Sequence, residues 1–247
     1  MLRIIDAHNH STFSDGLLTP EQIIKKAIAK GYIVGIADHL SRFHKIKTDV
    51  DLKRYILYLN NFSCYKSGEL DLGQETIFSN ELLDKLDYII GGVHNLFWEG
   101  KWQNLWLMKN KIERPGEFMS LYKEVTLKAI ENPIIPFHIL AHPLKLPPYL
   151  MNNFNEEEII PEEWIEEILE EMKRHNIAIE INNSERVPSE RFIRRALEMG
   201  VKVSLGSDGH SENGNCNLNW CLEIVKKLDI REDDLFRPKR EVEIPEL

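Results

Sequence analysis

The chain has 247 residues, 43% of them hydrophobic and 29% charged, with a formal net charge of −9. That length suits one large α/β domain or two small ones with a sizeable core, and the acidic balance argues against a broad basic face for duplex nucleic acid. No apolar run approaches the roughly 18 residues of a membrane span, the start reads as a strand rather than a signal peptide, and Cys64, Cys216 and Cys221 lack Cys-x-x-Cys spacing, so reduced thiols and a cytoplasmic location are expected.

Strand-like and helix-like segments alternate from the outset. The first strand, Ile4-Ile5-Asp6-Ala7, runs into His8-Asn9-His10. In an extended chain, positions i and i+2 share a side, so both imidazoles can reach one ion. Asp15 follows at the turn, and Gly16 permits a tight backbone path there. A helix is predicted from about Pro20 to Lys30, with Thr19 as N-cap, Pro20 in the first position and Gln22 completing a capping box. The second strand, Tyr32 to Ala37, ends in Asp38-His39. A polar helix near 49–60 leads to a third strand, Cys64 to Leu72, which contains Glu69. A short helix near 80–86 leads to the fourth strand, Asp87 to Val93, ending in His94.

An insertion from Asn95 to about Arg114 then interrupts the pattern. Trp98, Trp102 and Trp106 stand in it at helical i, i+4 spacing. Its two readings are a lid over the functional face and a helix packed on the rim. A helix from Pro115 to Glu131 restores the alternation, and the fifth strand, Phe137 to Ala141, ends in His142-Pro143. An acidic helix near 161–175 precedes the sixth strand, Ile177 to Asn182. A helix with the stripe Phe192, Ile193, Ala196 and Leu197 ends at Gly200. The seventh strand, Val201 to Leu205, ends in Gly206-Ser207-Asp208-Gly209-His210; a last helix near 218–228 precedes a charged tail.

Apolar strands alternating with amphipathic helices predict a parallel sheet covered by helices. An open doubly wound sheet and a closed barrel both fit that pattern. Ligand-type residues stand at strand ends one to five and seven, however, and a barrel converges all its strand ends on one point. A distorted seven-stranded (β/α)7, TIM-like barrel is therefore expected, as a single domain over 1–247. The candidate set is His8, His10, Asp15, His39, Glu69, His94, His142, Asp208 and His210. It takes six of the nine histidines; His44, His138 and His175 lie off the pattern and are set aside.

His8-x-His10 with Ser14-Asp15-Gly16, Ala37-Asp38-His39, the isolated Glu69, Gly92-Val93-His94, Leu140-Ala141-His142-Pro143 and Gly206-Ser207-Asp208-Gly209-His210 together resemble the motifs of the PHP (polymerase and histidinol phosphatase) superfamily. The match spans almost the whole chain in order. Ala178-Ile179-Glu180-Ile181-Asn182-Asn183-Ser184 particularly resembles the YcdX-like phosphatase branch. The resemblance implies a distorted β/α barrel with two or three divalent ions, zinc, iron or manganese. It implies a first site of His8, His10, Glu69 and Asp208, a second of Glu69, His94 and His142 with Glu69 bridging, and a third of Asp15, His39 and His210. Some relatives have histidine where this chain has Asp15, which hardens the third site.

Two ions sharing a carboxylate can pin a water between them and lower its pKa, so hydroxide is available near neutral pH. The expected reaction is hydrolysis of a phosphate monoester, such as histidinol phosphate or a nucleotide-like phosphate, with Glu69, His94 and Asp208 at the reacting centre. The alternatives are phosphodiester cleavage of nucleic acid, as in nuclease PHP domains, and a non-catalytic metal-binding module. Around the ions, Asp38 is expected to orient the His39 ring. Arg42, Asn182 and Arg186 are candidates for substrate contact, with Lys45 and Lys47 completing a basic loop after His39.

Overall fold

The computed structural model describes residues 2–131 and 136–242; the end of the charged tail, 243–247, lies outside them. The elements in chain order are β1 (Ile5–Asp6), α1 (Pro20–Ala29), β2 (Ile33–Leu40), α2 (Asp49–Leu59), β3 (Tyr65–Asp71), α3 (Asn80–Leu83) and β4 (Ile90–Gly92). There follow β5 (Asn95–Trp98), β6 (Lys101–Asn104), α4 (Pro115–Glu131), β7 (Ile139–Leu140), α5 (Pro148–Asn153) and α6 (Glu156–Ile159). Last come α7 (Glu162–His175), β8 (Ala178–Asn182), α8 (Glu190–Met199), β9 (Val203–Gly206) and α9 (Asn219–Lys227). Among the described residues, no helix is long and apolar enough to cross a membrane.

Seven parallel strands close in the order β1-β2-β3-β4-β7-β8-β9, as expected. Closure is made where β9 returns to β1, with Leu205 beside Asp6. Strand alternation then sorts the side chains into two layers. On β2, Val34, Ile36 and Leu40 join the outer core under the helices. Ile33 and Ala37 join an inner cluster with Tyr65, Tyr88, Ile90 and Ile139. His39 continues the inner row two residues beyond Ala37, and Glu69 does the same beyond Tyr65 and Ser67. The inner cluster therefore fills one end of the barrel, and ligand-type residues fill the other.

The insertion differs from the expected helix. It forms an antiparallel hairpin in which Phe97 faces Trp102 and Trp98 faces Lys101. The two-residue turn Glu99-Gly100 has φ of 51° and 79°, the positive values that a tight hairpin needs at both positions. The i, i+4 tryptophan spacing is thus distributed over two strands and the 3-10 turn at Leu105–Leu107. The proline-rich stretch after His142 also differs, since it carries the short helices α5 and α6.

Candidate metal centre

Glu69 stands at the middle of the polar end, 1% exposed. Its Oε1 lies 3.0 Å from His94 Nε2 and 3.0 Å from His142 Nε2. Its Oε2 lies 3.0 Å from His39 Nδ1, 3.4 Å from His8 Nε2 and 3.6 Å from His10 Nε2. Asp208 Oδ1 approaches His10 Nε2 at 3.2 Å and His8 Nε2 at 3.7 Å. On the outer side, Asp15 Oδ1 is 3.5 Å from His210 Nε2, and Asp15 Oδ2 is 3.6 Å from His39 Nε2. All nine candidates therefore meet around one centre. His39 faces two ways, with Nδ1 toward Glu69 and Nε2 toward Asp15.

Local backbone geometry makes this convergence fit. His142 and Asp208 have φ of 29° and 49°, an uncommon region for side-chain-bearing residues and one that functional sites often hold. A Cβ at position 16 would fall 2.2 Å from the His10 carbonyl oxygen, so only glycine lets the Asp15 turn fold onto His10. A Cβ on Gly92 would fall 2.8 Å from His142 Cε1 and 2.9 Å from both Glu69 Oε1 and His94 Cε1. Gly92 keeps open the space between three of the candidate ligands.

The donor chemistry fits divalent cations. The carboxylates of Glu180 and Asp71 accept from His8 Nδ1 at 2.7 Å and His94 Nδ1 at 2.5 Å. The Asp208 carbonyl accepts from His210 Nδ1 at 3.0 Å. Each ring is thereby left with its Nε2 lone pair turned toward the carboxylates. Among the described residues, buried His39 Nδ1 has no partner with hydrogen-bond geometry, although Glu69 Oε2 lies 3.0 Å away. Lone pairs facing carboxylate oxygens at such distances need positive charge between them, and imidazole with carboxylate suits zinc, iron or manganese.

Without cations, protons must supply that charge. Burial works against a charged His94, but Glu69 and Asp71 outweigh it and push the ring up to about 10. Burial opposes ionisation of Glu69 too, yet His94, His8 and His39 hold its carboxyl well below the usual range. His10 goes the other way: burial and then the His39 ring push it down to about 3, leaving a neutral imidazole. A raised histidine pKa stabilises the fold fully below the ordinary value of 6.5 and loses that contribution as pH climbs through about 10. Chelator-stripped protein should therefore melt at progressively lower temperature across that window. Affinity at the position that includes His94 should rise over the same interval, because an ion bound there must displace the His94 proton. Thermal scans and metal titrations at matched pH check both slopes.

The PHP domain family model matches residues 6–184. The chain belongs to the PHP family. A probable phosphatase of Thermoanaerobacter sp. (strain X514) is 27% identical over 176 residues, covering 68% of this chain and 57% of that protein. A DNA polymerase/3'-5' exonuclease of Bacillus subtilis is 27% identical over 223 residues, covering 83% of this chain and 34% of that protein. Each match thus covers less than two thirds of the relative. Among solved structures, histidinol phosphate phosphatase from Lactococcus lactis, complexed with zinc, L-histidinol and phosphate, superposes with a TM-score of 0.69 at 19% identity. It covers 94% of this chain and 95% of that one. A putative histidinol phosphatase from Listeria monocytogenes gives 0.67 at 18% identity, covering 88% and 99%.

Around the centre of this PHP barrel lies a cavity of about 450 Å³, whose wall includes Phe43, His44, Asn95, Asn104, Trp106, Ser184 and Glu185. Several sequence expectations change here. Trp106, not Trp98, lines the cavity, its ring 5.2 Å from those of His94 and His142. Trp98 is buried against Phe118 at 5.3 Å. Trp98→Ala should thus lower the melting temperature, costing about 3–5 kcal/mol, whereas Trp106→Ala should raise KM by roughly tenfold. Steady-state kinetics beside thermal scans on both variants check the split. His44, set aside on sequence, stacks on His39 at 4.2 Å.

Asp38 does not orient His39, because adjacent strand residues face opposite sides. Its buried carboxylate instead accepts from Ser11 N at 2.7 Å, Ser11 Oγ at 2.6 Å and Ser14 Oγ at 2.5 Å. It holds the turn that carries Asp15. Arg42 lines a small neighbouring cleft with Asp71, Gln74 and Glu75, and exposed Arg186, Lys45 and Lys47 are absent from the cavity wall. Asn182 is fully buried and donates to Glu180 Oε2 at 2.9 Å and Asp208 Oδ2 at 3.2 Å. It braces other side chains and is not part of the cavity wall.

Glu180 and Asp71 escaped sequence reasoning. Glu180 is the lone charged residue of β8, flanked by Ile179 and Ile181, which is itself a usable signal in a buried strand.

Proposed function

We propose that this chain is a metal-dependent phosphatase acting on phosphate monoesters. One observation carries the reading: a single buried carboxylate, Glu69, turns one oxygen to His94 and His142 and the other to His8, His10 and His39. In this reading His8, His10, Glu69 and Asp208 hold one cation, and Glu69, His94 and His142 hold a second. Asp15, His39 and His210 hold a third, with zinc, iron and manganese as the fitting ions. Bound there, divalent cations would supply Lewis-acid charge against the phosphoryl oxygens and would lower the pKa of water.

The protein's own groups do the rest. Trp106 and His44 shield the imidazoles, while Asn95, Asn104 and Ser184 offer neutral hydrogen-bonding groups to the alcohol part of the ester. The hairpin, anchored by Trp98, serves as a wall of the cavity, so one PHP-type unit carries the complete ligand set. The zinc, L-histidinol and phosphate of the Lactococcus protein and the phosphatase names of several relatives support a small phosphorylated substrate.

Phosphodiester cleavage is the second reading, favoured by the likeness to the Bacillus exonuclease. Against it, no lysine or arginine among the described residues lines the cavity, although a nucleic-acid backbone calls for several. A panel of p-nitrophenyl phosphate, histidinol phosphate, nucleotides and a single-stranded oligonucleotide, with metal analysis on the same sample, decides. Turnover of monoesters by metal-loaded protein is expected. Faster cleavage of the oligonucleotide would favour the second reading, and a loaded but inert protein would make the chain a binding module.

A further inference from the structure

Beneath the ligand cluster lies a carboxylate with no place in any of the three proposed ion sites. Glu180 sits on β8 between Ile179 and Ile181, which face the outer core, so its own side chain enters the barrel. It is 1% exposed. Its Oε1 accepts from the His8 ring at Nδ1, 2.7 Å away. Its Oε2 accepts from the backbone N–H of His142 at 2.7 Å and from the amide of Asn182 at 2.9 Å. The same Asn182 amide reaches Asp208 Oδ2 at 3.2 Å. Three candidate ligands from three strands therefore hang on one buried group. A Cβ on Gly206 would fall 1.9 Å from Glu180 Oε1, so the β9 backbone is bare where this carboxylate lies.

We infer that Glu180 is a positioning residue that ties the two ion positions flanking Glu69 to one another. The inference rests on the metal reading given above. A carboxylate on Nδ1 fixes the proton there and turns the Nε2 lone pair of His8 toward the first position. The second oxygen holds His142 at the second position through its main chain, where φ is 29°. Through Asn182 it also steadies Asp208. An unpaired buried carboxylate would be strongly disfavoured; here every donor it meets belongs to, or braces, a candidate ligand. Affinity at the two positions should accordingly fall together when Glu180 changes.

Glu180→Gln tests this. Glutamine has one acceptor oxygen and an NH2 group, so it cannot serve both His8 Nδ1–H and the His142 N–H. Its oxygen is held on the side with two donors, the His142 N–H and the Asn182 amide, so its NH2 faces His8, forces the His8 proton onto Nε2 and blocks that nitrogen as a ligand. Competition titration of zinc against a chromogenic chelator should show affinity reduced about 10- to 100-fold at both positions flanking Glu69. Histidine-ring 15N spectra of the zinc-loaded protein should show His8 protonated at Nδ1 and free of a proton at Nε2 in the wild type, with that tautomer lost in the variant. A merely structural role would lower the melting temperature of the metal-free protein and leave that tautomer in place. Unchanged affinity at either position overturns the inference, as does an unchanged His8 tautomer. If the wild-type protein takes up no zinc, both the metal reading and this inference fall, whereas wild-type uptake matched by Glu180→Gln removes the inference alone.

Discussion

Glu69→Gln should reduce phosphomonoester turnover by on the order of 10³-fold or more, with loss of bound metal in the same protein. Removing a single preorganised group that stabilises transition-state charge already costs about 10²–10³ in rate. Glu69 has a larger role, because its two oxygens serve opposite halves of the cluster, at 3.0 Å from His94 and His142 and 3.0–3.6 Å from His39, His8 and His10. Glutamine keeps the volume but offers one neutral acceptor in place of two anionic ones. The variant should still fold, since the strand below it is fixed by the inner cluster of Tyr65, Tyr88 and Ile90. Kinetics and metal content measured on one preparation check this. Full metal content with unchanged turnover would remove Glu69 from the centre of the account.

Stripping the divalent ions should produce the second large effect, on stability. His8, His10, Glu69, His94 and His142 are all buried, and without cations they hold one another only by sharing protons. An ion that binds only the folded state stabilises by about 4 kcal/mol when present at 1,000 times its Kd. For a domain of this size each 1 kcal/mol moves the melting temperature by roughly 2–4 °C. Reloading with excess zinc or manganese should therefore raise it by about 8–16 °C, and turnover should return with it. A melting temperature indifferent to both chelator and metal would show that the cluster holds no ion tightly.

Much of the candidate cluster was legible because a histidine or carboxylate at the end of an apolar strand is conspicuous, and the family motifs follow the same order. Barrel closure was legible only indirectly, through ligand-type residues at so many strand ends, since the pairing that makes it, Asp6 with Leu205, joins residues from opposite ends of the chain. The supporting groups were hidden for a related reason. Asp71 lies between Leu70 and Leu72 in a plausible strand alternation, and nothing local reveals that it accepts from His94. His44 stood in a basic loop, yet the loop folds back to stack it on His39. The tryptophan spacing suggested a helix, and the Glu99-Gly100 turn overrode it. The basic residues illustrate the reverse error: Arg42 follows His39 closely in sequence but lines a neighbouring cleft and not the cavity.

The most direct measurement is an anomalous-scattering map from crystals of the protein reconstituted with zinc or manganese. The account predicts strong peaks on both sides of the Glu69 carboxylate, one among His8, His10 and Asp208 and one between His94 and His142. A map without peaks there, or with metal bound only elsewhere on the barrel, would contradict it.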